Sequence, residues 1–238
     1  MMEVVGIEDA ASAFGLGDHE LVALVGGGGK TTLLFALGHA SPGRVVLTTT
    51  TKMSATRTEG FAVLRAPTDA QIAAIAQTTL AWDHDDGPKA IGVDADTADR
   101  WFDLVDHVIV EADGARRKPF KAPAPYEPVI PNRATTVIAV IGADALDRVI
   151  EDQCHRPLRV AAVAGCNSYD RLTPERAARV LTSVNGSRRN VPATARFVVA
   201  VTKINADNRS LAERVATAIG DGAAMVLGIS VPDSVPQP

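Results

Sequence analysis

Cysteine is scarce. Cys154 and Cys166 are the only two in 238 residues, too few for a disulfide framework. With His155 beside the first, their spacing matches no zinc pattern, so both read as reduced, partly buried thiols. Aromatics are scarce too, at 4% against 46% hydrophobic residues. A core built mostly from alanine, valine, leucine and glycine suits a parallel sheet covered by helices. A basic excess is missing: 24 Lys and Arg against 28 Asp and Glu leave a net charge of −4. That removes the broad electrostatic case for a nucleic acid or a membrane surface as partner. No apolar run reaches the length of a membrane span. The start, Met-Met-Glu-Val-Val-Gly-Ile-Glu-Asp, lacks the basic region of a signal peptide. No internal repeat is present. The expectation is a cytoplasmic protein forming one α/β domain over 1–238, long enough to bury a sizeable core.

What is present is concentrated in Leu21-Val-Ala-Leu-Val-Gly-Gly-Gly-Gly-Lys-Thr-Thr-Leu-Leu-Phe35. An apolar strand runs into a turn without Cβ atoms and then into a helix. Backbone N–H groups of Gly26, Gly27, Gly28 and Gly29 can approach an anion closely there. Lys30 stands where a P-loop lysine reaches the β/γ-phosphates, Thr31 where a hydroxyl ligates Mg²⁺, and Thr32 follows in the first helical turn. The helix adds its positive N-terminal end. The usual G-x-x-x-x-G-K-[ST] pattern asks for glycine at position 24, which is Leu24 here. Either the loop is shortened and begins at Gly26, or that first turn is made another way. The Gly-Gly-x-Gly-Lys-Thr-Thr portion resembles loops of MinD-like ATPases, signal-recognition GTPases and dethiobiotin synthetase. The extra lysine of MinD-like members is Val25 here, which argues against their lysine-in-trans mechanism.

Apolar runs alternate with helical patterns along the chain, the mark of βαβ units. Strands are expected at 21–25, 44–48, 61–65, 89–93, 107–111, 136–141, 196–202 and 223–228. Helices are expected at 31–40, 67–80, 97–104, 143–151, 157–164, 173–184 and 207–219. The fold class is therefore α/β and P-loop NTPase-like, a mostly parallel sheet of about 7–8 strands with helices on both faces. Thr173-Pro174 reads as a cap with proline at the first helical position, and Gly165 as a stop. The proline-rich tail 231–238 reads as frayed. Segment 112–135 carries Pro119, Pro123, Pro125, Pro128 and Pro131, which forbid a helix or a central strand. A loop this long, starting at a strand's C-terminal end, reads as the substrate- or partner-facing element.

The remaining candidates cluster around these segments. Glu111 and Asp113 follow the strand His107-Val-Ile-Val110, where a phosphate site needs an acid for Mg²⁺; spacing does not divide the roles between them. Thr48-Thr-Thr-Thr-Lys52 places hydroxyls, Thr50 among them, at a strand end where they could reach metal or phosphate, with Lys52 adding a cation if its strand lies beside the first. Arg116, Arg117, Lys118 and Lys121 put four cations in six residues, a phosphate or anion clamp or else a solvated face. Asp83-His84-Asp85-Asp86 reads as a solvated turn. Thr202-Lys203-Ile204-Asn205 occupies the place of a guanine-reading N-K-x-D motif, but the neutral Asn205 lacks the carboxylate that motif uses, so the base stays open between ATP and GTP.

Together, Val25–Thr32, Thr48–Met53, Val110-Glu-Ala-Asp-Gly-Ala-Arg-Arg117, Lys121-Ala-Pro-Ala-Pro-Tyr-Glu-Pro-Val-Ile-Pro131 and His155-Arg-Pro157 resemble the selenium-dependent hydroxylase accessory protein family, YqeC. The resemblance runs in order from about residue 20 to 230. It implies a role in maturing molybdenum hydroxylases, with such an enzyme or its cofactor-maturation proteins as partner. The motifs themselves predict an Mg²⁺-dependent nucleoside triphosphatase. Two alternatives stay open: a small-molecule kinase whose acceptor sits at 112–135, and a nucleotide-gated binding module without turnover.

Overall fold

A computed structural model describes residues 2–230, so the expected fraying of 231–238 lies outside the described residues. Nine strands form one sheet with parallel neighbours throughout. They are β1 (Glu3–Gly6), β2 (Glu20–Gly26), β3 (Val45–Thr49), β4 (Ala62–Arg65), β5 (Thr79–Trp82), β6 (His107–Glu111), β7 (Thr136–Gly142), β8 (Arg196–Ile204) and β9 (Met225–Ser230). Their spatial order is β1-β9-β8-β7-β2-β6-β3-β5-β4. The main helices are α1 (Lys30–Ala40), α2 (Ala95–Trp101), α3 (Pro157–Ala164), α4 (Pro174–Thr182) and α5 (Arg209–Ile219).

Strand alternation decides how the sheet is covered. In β2, Leu21, Ala23 and Val25 enter one apolar cluster with Ala98 and Trp101 of α2 and Val160 of α3. Val22 and Leu24 point the other way, into a cluster with Leu33, Leu34 and Leu37 of α1. Helices thus cover both faces, as an all-parallel sheet requires. Leu24 is fully buried and lies in register with Glu111 and Ile138 on its two neighbours. Burying such a side chain is worth about 1.5–3 kcal/mol. Position 24 is therefore a sheet position, and the glycine loop begins at Gly26.

Three expectations fail for identifiable reasons. The helix expected over 67–80 is only Asp69–Ala73, started by a Thr68–Gln71 capping box, and β5 follows it. Leu80 and Trp82 bury on one face of that strand and Ala81 on the other, so its continuous apolar run imitated a helix. The segment 89–93 stays outside the main sheet. Lys89–Ile91 is the middle of a small antiparallel sheet with Lys52–Ser54 and His84–Asp86. Over 143–151 there is a 3-10 turn, Ala143–Ala145, and a single helical turn, Ile150–Gln153, separated by extended Leu146 and by Asp147 at φ 54°. Strands β1 and β5 come in addition to those expected. The punctuation of α3 and α4 holds: Pro157 opens one and Gly165 closes it at φ 70°, and the Thr173 hydroxyl accepts the Arg176 N–H.

Candidate functional site

β2 is a central strand, and its C-terminal end delivers the glycine loop between the ends of β6 and β7. The fit is tight. A Cβ on Gly28, at φ 81°, would lie 2.1 Å from the Gly142 nitrogen, and one on Gly26, at φ 96°, 2.4 Å from the Val140 oxygen. Only glycine allows that approach. The expected cradle of four glycine amides is rearranged. Gly26 N–H donates to both Asp113 oxygens at 3.1 Å, Gly27 N–H to Val140 O at 2.9 Å and Gly28 N–H to Lys118 O at 3.2 Å. Of the four glycine amides only that of Gly29 has no acceptor among the described residues, and the open donors run from it into the first turn of α1. That helix has no side-chain cap and no acidic residue in its first turn. Thr32 is exposed on this turn.

Lys30 curls back over the loop. Its Nζ donates to Gly26 O at 2.6 Å and stands 3.2 Å from Asp113 Oδ1 and 3.7 Å from Glu111 Oε1, with only 3% of the side chain exposed. Burial would pull its pKa down, but Asp113 and then Glu111 outweigh burial and hold it above the ordinary value. The ammonium is therefore charged. Thr31 Oγ1 donates to Glu111 Oε2 at 2.7 Å. The geometry separates the two acids that spacing left equivalent. Glu111, at the end of β6, faces the helix hydroxyl, whereas Asp113 lies under the glycine loop. A hydroxyl and a carboxylate in contact form a hard-oxygen donor pair that suits Mg²⁺, which keeps waters and takes substrate oxygens for the rest of its shell. Among the described residues no group of three or more His, Cys, Asp or Glu could form an all-protein metal cage.

Asp113 begins a buried run of alternating charge. Lys121 Nζ is 3.1 Å from Asp113 Oδ2, 2.8 Å from Glu127 Oε2 and 2.7 Å from Gly114 O, and the lysine is 1% exposed. Arg156 Nη1 is 3.1 Å from the same Glu127 oxygen. Burial pushes the Glu127 carboxyl up, but Lys121, the Ala124 N–H and Arg156 outweigh it and hold the pKa below the ordinary value. Lys121 is thus a buried bridge and not a solvent-facing clamp. The loop carrying it is partly structural. Pro119 O accepts the Gly142 N–H at 2.9 Å, and Phe120–Lys121 pair with Cys154–His155 in a short parallel ladder. Arg116 and Arg117 are exposed at its tip, and Lys118 Nζ donates to Asp152 O at 2.6 Å.

Other candidates fall outside the phosphate-facing set. Lys52 is exposed and pairs with Asp86 at 3.3 Å, because β6 separates β2 from β3. The Thr50 hydroxyl is committed to Val129 O at 2.6 Å and Thr49's to Glu111 O at 2.7 Å, so neither is poised for metal. Thr202 Oγ1 donates to Gly28 O and braces the glycine loop. Lys203 pairs with Asp144 at 2.7 Å. Asn205 Oδ1 accepts the N–H groups of Asp207 and Asn208, making a turn instead of a base contact. The acids at 83–86 are exposed, Asp85 pairing with Arg65, and both cysteines are free thiols. Sequence reasoning missed Glu127. Its signal is that it is the lone acid between Asp113 and Asp144, following the four cations at 116–121.

A model of the YqeC protein family matches residues 22–158, a span holding the glycine loop, both carboxylates, Lys121, Glu127 and His155-Arg156-Pro157. An Escherichia coli K12 protein described as "Uncharacterized protein YqeC" is 29% identical over 204 residues, covering 81% of this chain and 79% of its own. No solved structure matches. No helix among the described residues is long and apolar enough to cross a membrane.

Proposed function

The chain belongs to the YqeC family, and from that premise we propose that it binds an Mg²⁺ nucleoside triphosphate, ATP or GTP, and hydrolyses it in the service of molybdenum hydroxylase maturation. The observation that carries this reading is the juxtaposition at the start of α1. Lys30 is charged and buried, Thr31 and Glu111 are in contact, and the helix N-terminus is uncapped beside them. A triphosphate brings the negative charge that such an N-terminus and lysine favour. Lys30 would exchange the Gly26 carbonyl and part of its carboxylate contact for phosphate oxygens. Thr31 and Glu111 would hold Mg²⁺, directly or through water, and the ion would neutralise charge on the phosphates. Asp113 would keep the glycine loop closed through the Gly26 N–H. Thr202 and Lys203, at the Gly28 side, would border the rest of the nucleotide.

Calorimetric titration of ATP and GTP with Mg²⁺ tests this, on the wild-type chain and on Lys30→Ala and Thr31→Ala, with circular dichroism to confirm that both variants fold. The expected result is micromolar binding in the wild type, loss in Lys30→Ala, and a much weaker Mg²⁺ dependence in Thr31→Ala. No binding of either nucleotide at millimolar concentration would sink the reading.

A further inference from the structure

Beyond the phosphate loop, the buried run of charges surfaces at a second cationic group. Arg156 Nη1 donates to His155 Nε2 at 2.6 Å. A guanidinium can only donate, so His155 accepts through Nε2 and carries its proton on Nδ1. Burial, then Arg156, Lys121 and Arg116, push the His155 pKa down to about 4, with Glu127 alone opposing them. The Glu127 charge is already matched by Lys121 and Arg156. Arg156 Nη2 also reaches Tyr126 Oη at 3.1 Å, and the tyrosine is 73% exposed.

Backbone strain marks the same residues. Arg116 and Arg117 have φ of 50° and 62°, and the Lys118 N–H closes onto Ala115 O at 2.9 Å. That is the pattern of a type I′ turn, which normally takes Asn-Gly, filled here by two arginines. Among the described residues, neither guanidinium has an ion-pair partner, and Arg156 is itself at φ 59°. Among the described residues eight non-glycine positions have positive φ, and four of them are the cations Arg116, Arg117, Arg156 and Lys203 around this end of the sheet. Strain held in place by surrounding structure gathers at ligand sites.

We propose that Arg116, His155 and Arg156, with the exposed ring of Tyr126 beside them, bind a second anion of the organic phosphate-monoester class. The Arg116 fork and the His155 Nδ1–H suit the oxygens of a phosphate. Arg156, whose own fork holds Glu127, adds positive charge and fixes that tautomer, and Tyr126 offers a flat face to the organic part. The site connects to the phosphate loop through Lys121 and Asp113. As the seat of a co-substrate it rests on the nucleotide reading; as an anion site it does not.

The test is NMR of the histidine side chains in ¹⁵N-labelled full-length protein at fixed pH, titrated with inorganic phosphate and with phenyl phosphate. Wild type, Lys30→Ala and the Arg116→Gln/Arg117→Gln double variant, whose exposed side chains can be changed without disturbing the core, are compared. Both ligands should shift the His155 resonance in wild type and in Lys30→Ala. Phenyl phosphate should bind several-fold tighter, and the double variant should bind each about tenfold more weakly. No shift at His155, or a shift lost in Lys30→Ala and kept in the double variant, overturns the site. Equal binding of the two ligands overturns the monoester assignment in favour of free phosphate. If His155 responds as expected while no nucleotide binds, the anion site stands and the nucleotide reading falls.

Discussion

Lys121→Met removes the ammonium at the middle of the buried charge run and keeps most of the aliphatic stem. The wild-type Nζ has three acceptors at 2.7–3.1 Å and no access to water at 1% exposure. Removing one partner of a buried ion pair costs about 3–5 kcal/mol, because the remaining charge is left uncompensated. Here two carboxylates lose a partner at once, Asp113 keeping Lys30 and Glu127 keeping Arg156. The upper part of that range is expected. Urea unfolding followed by tryptophan fluorescence reports it, since Trp82 and Trp101 are both buried. The midpoint should fall with the m-value unchanged. Adding Glu127→Gln should restore about 1–3 kcal/mol, a coupling that neighbours in one network show. A loss under about 1 kcal/mol, or strict additivity in the cycle, would mean that Lys121 is hydrated and the run is not a network.

Gly28→Ala should cost about 2–3 kcal/mol or more through the Gly142 contact and positive φ, whereas Gly114→Ala, with open space around it, should stay within about 0.5 kcal/mol. Equal effects in urea unfolding would refute the close approach. His155 has a folded-state pKa of about 4, below its unfolded value, so the unfolded chain takes up the proton first as pH falls. Its contribution to stability is full above pH 6.5 and is lost between there and pH 4, on the order of 1–2 kcal/mol after allowing for solvent screening. His155→Gln should lack that slope, so the wild-type-minus-variant stability difference should fall as pH drops through the window, and an unchanged difference would refute it. Burial pushes the Cys154 thiol up to about 12, so iodoacetamide at pH 8 should label one cysteine, Cys166, in the folded protein and two in urea. Two labels on the folded chain would contradict that burial.

Local patterns were readable where the chemistry is itself local. The strand, glycine turn and helix over 21–40, the acids closing β6, and Pro157 and Gly165 bounding α3 all follow from neighbours in sequence. What stayed hidden depends on strand order or on which way a side chain turns. Lys52 follows β3 closely in sequence, but β6 separates that strand from β2 in the sheet. The four loop cations look alike as text. Only packing shows that Lys121 turns inward to Asp113 and Glu127 while Arg116 and Arg117 face water. The run into Trp82 resembles a helix in sequence because a strand buried on both faces has no period of its own.

The unequal positions of Glu111 and Asp113 give the proposed nucleotide site a division of labour that substitution can separate. Before any ligand arrives Lys30 is shared by both acids. If phosphate draws Lys30 away, Asp113 still has Lys121 and the Gly26 N–H. Glu111 has only the Thr31 hydroxyl, and therefore needs a new cation. Mg²⁺ supplies it, which couples metal binding to the movement of the lysine. Glu111→Gln should therefore leave stability nearly intact, retain nucleotide binding in EDTA and lose the tightening that Mg²⁺ brings. Asp113→Asn should instead cost about 3–5 kcal/mol of stability, since it leaves Lys121 and Lys30 with fewer counter-charges in a dry site. Parallel urea unfolding and calorimetry with and without Mg²⁺ read both arms. The assignment fails if Asp113→Asn is the variant that loses only the metal effect.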